Sequence, residues 1–173
     1  KSVMIMGGGR IGYYLTKYLN EMEIKVKIIE KDPERCVELT ELLPKTLIIC
    51  GDGTDESVLL SENLENMGAF ISVTGRDEEN IIAALLAKQY GVKKAISKVN
   101  RAAYSIVIDK MDIDSVVIPK QITANYILRY VRGLQNALGN PVDALYRIMD
   151  NMVEAIQFTA NKHTKFLDIP LKD

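Results

Sequence analysis

The feature that most constrains this chain is a glycine run set directly behind an apolar segment. Val3-Met4-Ile5-Met6 leads into Gly7-Gly8-Gly9-Arg10-Ile11-Gly12, which satisfies G-x-G-x-x-G. A strand that ends in such a loop and opens a helix is the first turn of a dinucleotide-binding β-α-β unit. Gly7 permits the tight turn, Gly9 lets backbone N–H groups approach a pyrophosphate, and Gly12 lets the helix pack close to the sheet. Gly8 and Ile11 complete the loop. Phosphates held there would meet the positive N-terminus of the helix. The bland alternative is a tight strand-to-helix turn with no ligand.

The rest of the chain repeats this alternation. Short apolar runs at 3–6, 26–30, 46–50, 69–73, 95–99 and 116–118 are separated by amphipathic stretches. That pattern predicts an α/β fold: a Rossmann-like, doubly wound, six-stranded parallel sheet. Ile11, Leu15, Tyr18 and Leu19 recur at helical spacing and are expected to face the sheet. Asp32-Pro33 reads as a cap followed by proline at a helix start, with Cys36, Leu39 and Leu43 on one face. Asp77 is expected to cap the next helix, Glu78 and Glu79 to complement its dipole, and Gly91 to end it. After Pro119, residues 122–138 read as one long C-terminal helix stopped by Gly139-Asn140-Pro141. Its apolar side is a candidate dimer surface or packs on its own sheet. The last residues are too few for a domain. Asp150-Asn151 between apolar runs suits a hairpin turn, and a helix over 141–152 suits the same residues.

Further polar residues gather at the carboxyl ends of the strands, where such sheets bind ligands. Glu30 closes the second strand 18 residues past Gly12, placed to accept both ribose hydroxyls of an adenosine. A carboxylate there favours NAD over NADP, since only Lys31 is near to offset a 2′-phosphate. Gly51-Asp52-Gly53-Thr54 follows the third strand, and Asp52 is placed to accept from an adenine amino group. Thr74-Gly75, with Asp77 and Asn80 behind, follows the fourth strand near the distal half of a dinucleotide. Lys98 ends the fifth strand and adds a positive charge, or is simply an exposed strand-end lysine. Arg10 opposes the helix dipole, which a phosphate partner would explain.

Composition removes several classes. With 22 Lys plus Arg against 23 Asp plus Glu, there is no broad attraction to nucleic acid. The longest apolar run, seven residues from Ile81 to Ala87, is far short of the roughly 18 a membrane helix needs. Cys36 and Cys50 stand alone with a single His163, so no zinc site or disulfide framework is expected and a reducing, cytosolic setting fits. The start at Lys1, without Met, reads as a piece of something longer. A dehydrogenase needs a proton donor beside its nicotinamide, and His163 lies in the tail beyond the sheet. Tyr13-x-x-x-Lys17 matches a short-chain dehydrogenase spacing, but on the helix after the glycine loop it faces the wrong part of a cofactor. No Walker lysine is present. A binding module is expected, with a NAD-dependent oxidoreductase fragment as the alternative and an S-adenosylmethionine methyltransferase behind it.

The ordered set V-M-I-M-G-G-G-R-I-G, I-I-E-K-D-P-E-R, C-G-D-G-T-D, V-T-G-R-D-E-E-N and V-V-I-P resembles the RCK, or KTN, domain of TrkA-type regulators of potassium transport. The likeness covers about residues 2–138. One departure is Met67-Gly68-Ala69, where the pattern usually has an Asp before the fourth strand. The resemblance implies a non-catalytic sensor that binds NAD(H), ATP, ADP or AMP and gates a membrane potassium-transport subunit by conformational change. It also implies self-association as a homodimer or higher oligomer, and a cytoplasmic place at the inner face of the membrane. Carried onto this chain, Gly7, Gly9 and Gly12 form the phosphate loop, Arg10 faces phosphate, Glu30 the ribose, Asp52 the adenine, and Thr74 the inner ribose or nicotinamide. Residues 1–138 would be the nucleotide-binding domain, and 139–173 a linker with the start of a truncated TrkA-C-like domain, which favours the hairpin. The start without Met also resembles the second half of a tandem-repeat protein.

Overall fold

The computed structural model describes residues 2–104, 110–135, 142–148 and 153–159. The chain divides into two compact units, Lys1–Pro119 and Lys120–Asp173. The first holds β1 (Ser2–Met6), α1 (Arg10–Glu21), β2 (Lys25–Glu30), α2 (Pro33–Leu42), β3 (Leu47–Cys50), α3 (Glu56–Ser61), β4 (Ala69–Ser72), α4 (Asp77–Gln89), β5 (Ala95–Lys98) and β6 (Ser115–Val117). The six strands are all parallel in the order β3-β2-β1-β4-β5-β6. This is the doubly wound order, with its switch point between β1 and β4.

β1 is apolar from Val3 to Met6 because both of its faces are covered. Val3 and Ile5 join Ile28, Leu39, Leu43 and Ile71 in one buried cluster, which receives Tyr13, Leu15 and Leu19 of α1. Met4 and Met6 join Leu59, Phe70, Ala83 and Ala87 on the other face. The predicted inward face of α1 needs correction. Tyr18 is 62% exposed and Ile11 is 42% exposed, whereas Gly12 and Thr16 are buried. A Cβ on Gly12 would lie 2.0 Å from the Gly7 carbonyl oxygen, so the closest approach of helix to sheet is at this glycine. That contact sets the rotation of α1 and turns Ile11 and Tyr18, both about 100° or more around the helix from it, outward.

The next helix, α5 (Pro119–Gln135), begins at the last residue of the first unit, three residues before the predicted point, because Pro119 takes the first helical position, where its missing N–H costs nothing. The Gly139-Asn140-Pro141 stop lies outside the described residues. β7 (Val142–Ile148) and β8 (Val153–Phe158) pair antiparallel, with an irregularity at Val142/Ala144. Residues 142–148 and 153–158 are thus paired strands and not a helix over 141–152; Asp150 and Asn151 lie outside the described residues. No described helix is long and apolar enough to cross a membrane.

Candidate nucleotide-binding site

A cleft of ≈ 330 Å³ opens at the switch point. That is within the range of small-molecule sites, roughly 300–1,000 Å³. Its wall contains Gly7, Gly9, Glu30, Lys31, Asp52, Gly53, Thr54, Thr74 and Gly75, all singled out in the sequence, together with Met6, Val73, Arg76 and Glu79, which were not. Met6 and Val73 follow from strand-end position. Arg76 and Glu79 sit inside the T-G-R-D-E-E-N run but carry no motif signal of their own.

The glycine loop is held by backbone contacts from both sides. The Gly7 N–H donates to the Ile29 carbonyl at 2.9 Å, and Gly7 has φ +106°, a conformation that L side chains rarely adopt. The Gly8 peptide is clamped at both ends. Its N–H donates to Glu30 Oε2 at 2.6 Å, and its carbonyl accepts from Arg35 Nε at 2.8 Å. Gly8 therefore packs against Leu39 and Glu30, away from the cleft wall. Arg35 belongs to α2, and nothing in its local sequence marks it as a partner of the loop. Gly9 has no neighbour within 4 Å of where a Cβ would stand. It is the N-cap of α1, whose first turn has neither a side-chain cap nor an acidic residue. The first N–H groups of the helix thus have no side-chain acceptor among the described residues, the arrangement that receives an anion.

Glu30 has a second duty. Besides Gly8, its carboxylate accepts from the Lys31 N–H at 2.7 Å and the Asp32 N–H at 2.9 Å, so it organises the turn as well as lining the cleft. Lys31 Nζ donates to Asp52 Oδ2 at 2.7 Å, while Asp52 Oδ1 accepts from the Thr54 N–H and hydroxyl. The Lys31 ammonium and these Thr54 bonds hold the Asp52 carboxyl well below the usual carboxylate range, and the same contact raises the Lys31 amine. Arg76 pairs with Glu79 at 2.8 Å.

The fourth loop is pinned from behind. Asn80, fully buried, accepts from the Thr74 N–H and hydroxyl through Oδ1 and donates through Nδ2 to the carbonyls of Thr74 and Lys98. Asp77 is not the cap of α4. Arg76 holds that position, and the Asp77 carboxylate turns inward to accept from the Asn100 N–H, the Asn100 side-chain amide and the Arg101 N–H at 2.8–2.9 Å. Burial opposes ionisation of Asp77, but these donors outweigh it and lower its pKa. Lys98 is 8% exposed and does not line the cleft; burial lowers its amine and Asp77 opposes that shift. The expectation of an exposed strand-end lysine is thus corrected. Arg10 and Ile11 are exposed at the start of α1, outside the cleft wall, and His163 lies outside the described residues. Cys36 on α2 donates through Sγ to the Glu30 carbonyl at 3.3 Å, and Glu30 is the register partner of Cys50, which ends β3.

Residues 3–119 match the TrkA-N domain family model. The chain belongs to the TrkA-N family. It is 36% identical over 170 residues to the Trk system potassium uptake protein TrkA homolog 2 of Methanosarcina mazei, covering 98% of this chain and 37% of that protein. The TrkA-N chain thus spans little more than a third of this curated relative. Among solved structures, the TrkA-N domain of the inner membrane protein ybaL from Escherichia coli superposes with TM-score 0.69 at 20% identity, covering 75% of this chain and 96% of that one. The GsuK channel bound to NAD does so with TM-score 0.64 at 18% identity, covering 86% and 25%. At those identities the likeness is one of fold.

Proposed function

We propose that this TrkA-N chain is the nucleotide-sensing part of a potassium-uptake regulator. It binds NAD(H), or an adenine nucleotide such as ATP, ADP or AMP, in the switch-point cleft and gates a membrane potassium-transport subunit. The observation that carries this reading is the uncapped start of α1 facing the same cleft as the Glu30 carboxylate. One end suits phosphate and the other a ribose diol. Arg10, exposed beside the open N–H groups, adds charge for phosphate. Among the described residues of the cleft wall, Lys31 is engaged by Asp52 and Arg76 by Glu79, which favours NAD over NADP.

The charged side chains of the cleft wall are tied to the backbone or to one another, which suits holding a ligand and not proton transfer, so the chain is read as non-enzymatic. Asn80, anchored on the Lys98 carbonyl, supports the Thr74 loop from behind, and Asp77 ties α4 to the chain leaving β5, so these residues act on the distal half of the ligand only indirectly. A ligand gates a partner only through different affinity for two arrangements, and a tenfold difference is about 1.4 kcal/mol. We assign residues 1–138 to the nucleotide-binding domain and 139–173 to a linker and the start of a TrkA-C-like domain, in a self-associating protein at the cytoplasmic face of the membrane. Exposed Ile122, Ile127 and Val131 on α5 suit a contact with a second copy.

Calorimetry with NAD⁺, NADH, NADP⁺, ATP, ADP and AMP tests the ligand. Glu30→Gln should weaken NAD⁺ binding by about 1.5–3 kcal/mol, the value of hydrogen bonds to a charged acceptor. Unchanged affinity would remove Glu30 from the site, and no binding of any of these nucleotides would refute the reading.

A further inference from the structure

We propose that Cys36 and Cys50 form a redox-active pair, a site where a hydroperoxide converts two thiols into an intramolecular disulfide. Cys36 and Leu39 make the buried face of α2, and Leu43, just past its end, is buried with them. Ile48 of β3 packs into the same cluster as Leu39 and Leu43. Alternate strand residues share a face, so Cys50 points to the α2 side, at the end where Cys36 lies. The Glu30 carbonyl marks the meeting point. It accepts from Cys36 Sγ at 3.3 Å and from the Gly51 N–H at 2.9 Å, and Glu30 and Cys50 are register partners in the β2–β3 ladder. Both cysteines thus lie against the Glu30 backbone, Cys36 through its sulfur and Cys50 through the strand ladder.

The pair is asymmetric in the way such chemistry requires. Cys50 is exposed and Cys36 is 7% exposed. Burial first, and then Cys50 beside it, pushes the Cys36 thiol up to about 12, so Cys36 is not the group that meets the oxidant. The Cys50 thiolate attacks the peroxide: an S–O bond forms, the O–O bond breaks, and the released alkoxide or hydroxide takes up a proton. The Cys36 sulfur then attacks the Cys50 sulfenic acid. The S–S bond forms, the S–O bond breaks, and water leaves with the Cys36 proton. Two thiols and one hydroperoxide thus give one disulfide, one alcohol or water, and one water. The bond would tie α2 to the end of β3, beside the strand ends that carry Glu30 and Asp52.

The test uses the full reduced chain, hydrogen peroxide at neutral pH, intact-mass spectrometry and peptide mapping. Expected is a monomer lighter by two hydrogens, with Cys36 linked to Cys50 and the link reversed by dithiothreitol. Cys36→Ser, or Cys36→Ala if the serine variant does not fold, should stop at a Cys50 sulfenic acid that dimedone traps. Cys50→Ser should react with peroxide roughly tenfold more slowly or worse. Over-oxidation of Cys50 without the link, a link between two chains, or equal rates for wild type and Cys50→Ser would each overturn the proposal.

Discussion

Gly9 and Gly12 sit three residues apart, and an added methyl meets opposite surroundings at the two. At Gly12 it would stand 2.0 Å from a backbone oxygen, the Gly7 carbonyl, which cannot move without displacing the loop. Gly12→Ala is expected to destabilise the fold by about 2–4 kcal/mol, at or above the upper end of overpacking costs, read as a lowered urea midpoint. At Gly9 nothing lies within 4 Å, and its φ of −65° suits any residue. Gly9→Ala should keep stability to within about 1 kcal/mol, the usual cost of alanine at an N-cap. Because Gly9 lines the cleft, the same variant should lose about tenfold in NAD⁺ affinity, the equivalent of one modest contact. Equal stability losses in the two variants would mean that the loop has no open side.

At the scale of elements, α4 is fastened to its neighbours by two buried polar side chains. Asn80 joins its first turns to the Thr74 loop and to β5, and Asp77 joins its first residue to the chain leaving β5. Asp77→Ala would leave the Asn100 and Arg101 N–H groups without their acceptor, an expected loss of about 1–3 kcal/mol for part-buried donors left unpaired. The pH dependence follows from the lowered pKa. The unfolded carboxyl titrates near 3.9, as roughly all free Asp do, and the folded one lower, so the contribution is complete above about pH 4 and is lost as pH falls through the folded value. Wild type should therefore lose stability on acidification from pH 5 to 3, as roughly any depressed carboxylate requires, and Asp77→Ala should lose less over that interval. Urea midpoints across the series check this. Parallel curves would mean that Asp77 carries none of the acid sensitivity.

For the molecule as a whole, the buried apolar side chains of the described residues run from Val3 to Val99, all in the first unit. A chain ending at Pro119 is expected to show one cooperative urea transition with α/β far-ultraviolet dichroism. A broad transition would mean that 120–173 belongs to the same folding unit. The parallel sheet was legible in the sequence because its central strands β1 and β4 are covered on both faces and so appear as nearly unbroken apolar runs; each observed strand edge falls within one residue of the predicted one. The glycine loop was legible because Gly7 and Gly12 answer constraints set by their own neighbours. Other features depend on partners brought together only by the tertiary fold. Arg35 on Gly8, Lys31 on Asp52, the inward turn of Asp77 and the bond from Cys36 to the Glu30 carbonyl each join segments from separate elements. The rotation of α1 was decided in the same way, by one glycine against one carbonyl. Short-range sequence determined what the backbone does over a few residues. Where each polar side chain found its partner was decided by the strand order, because only that order brings the loops to one edge.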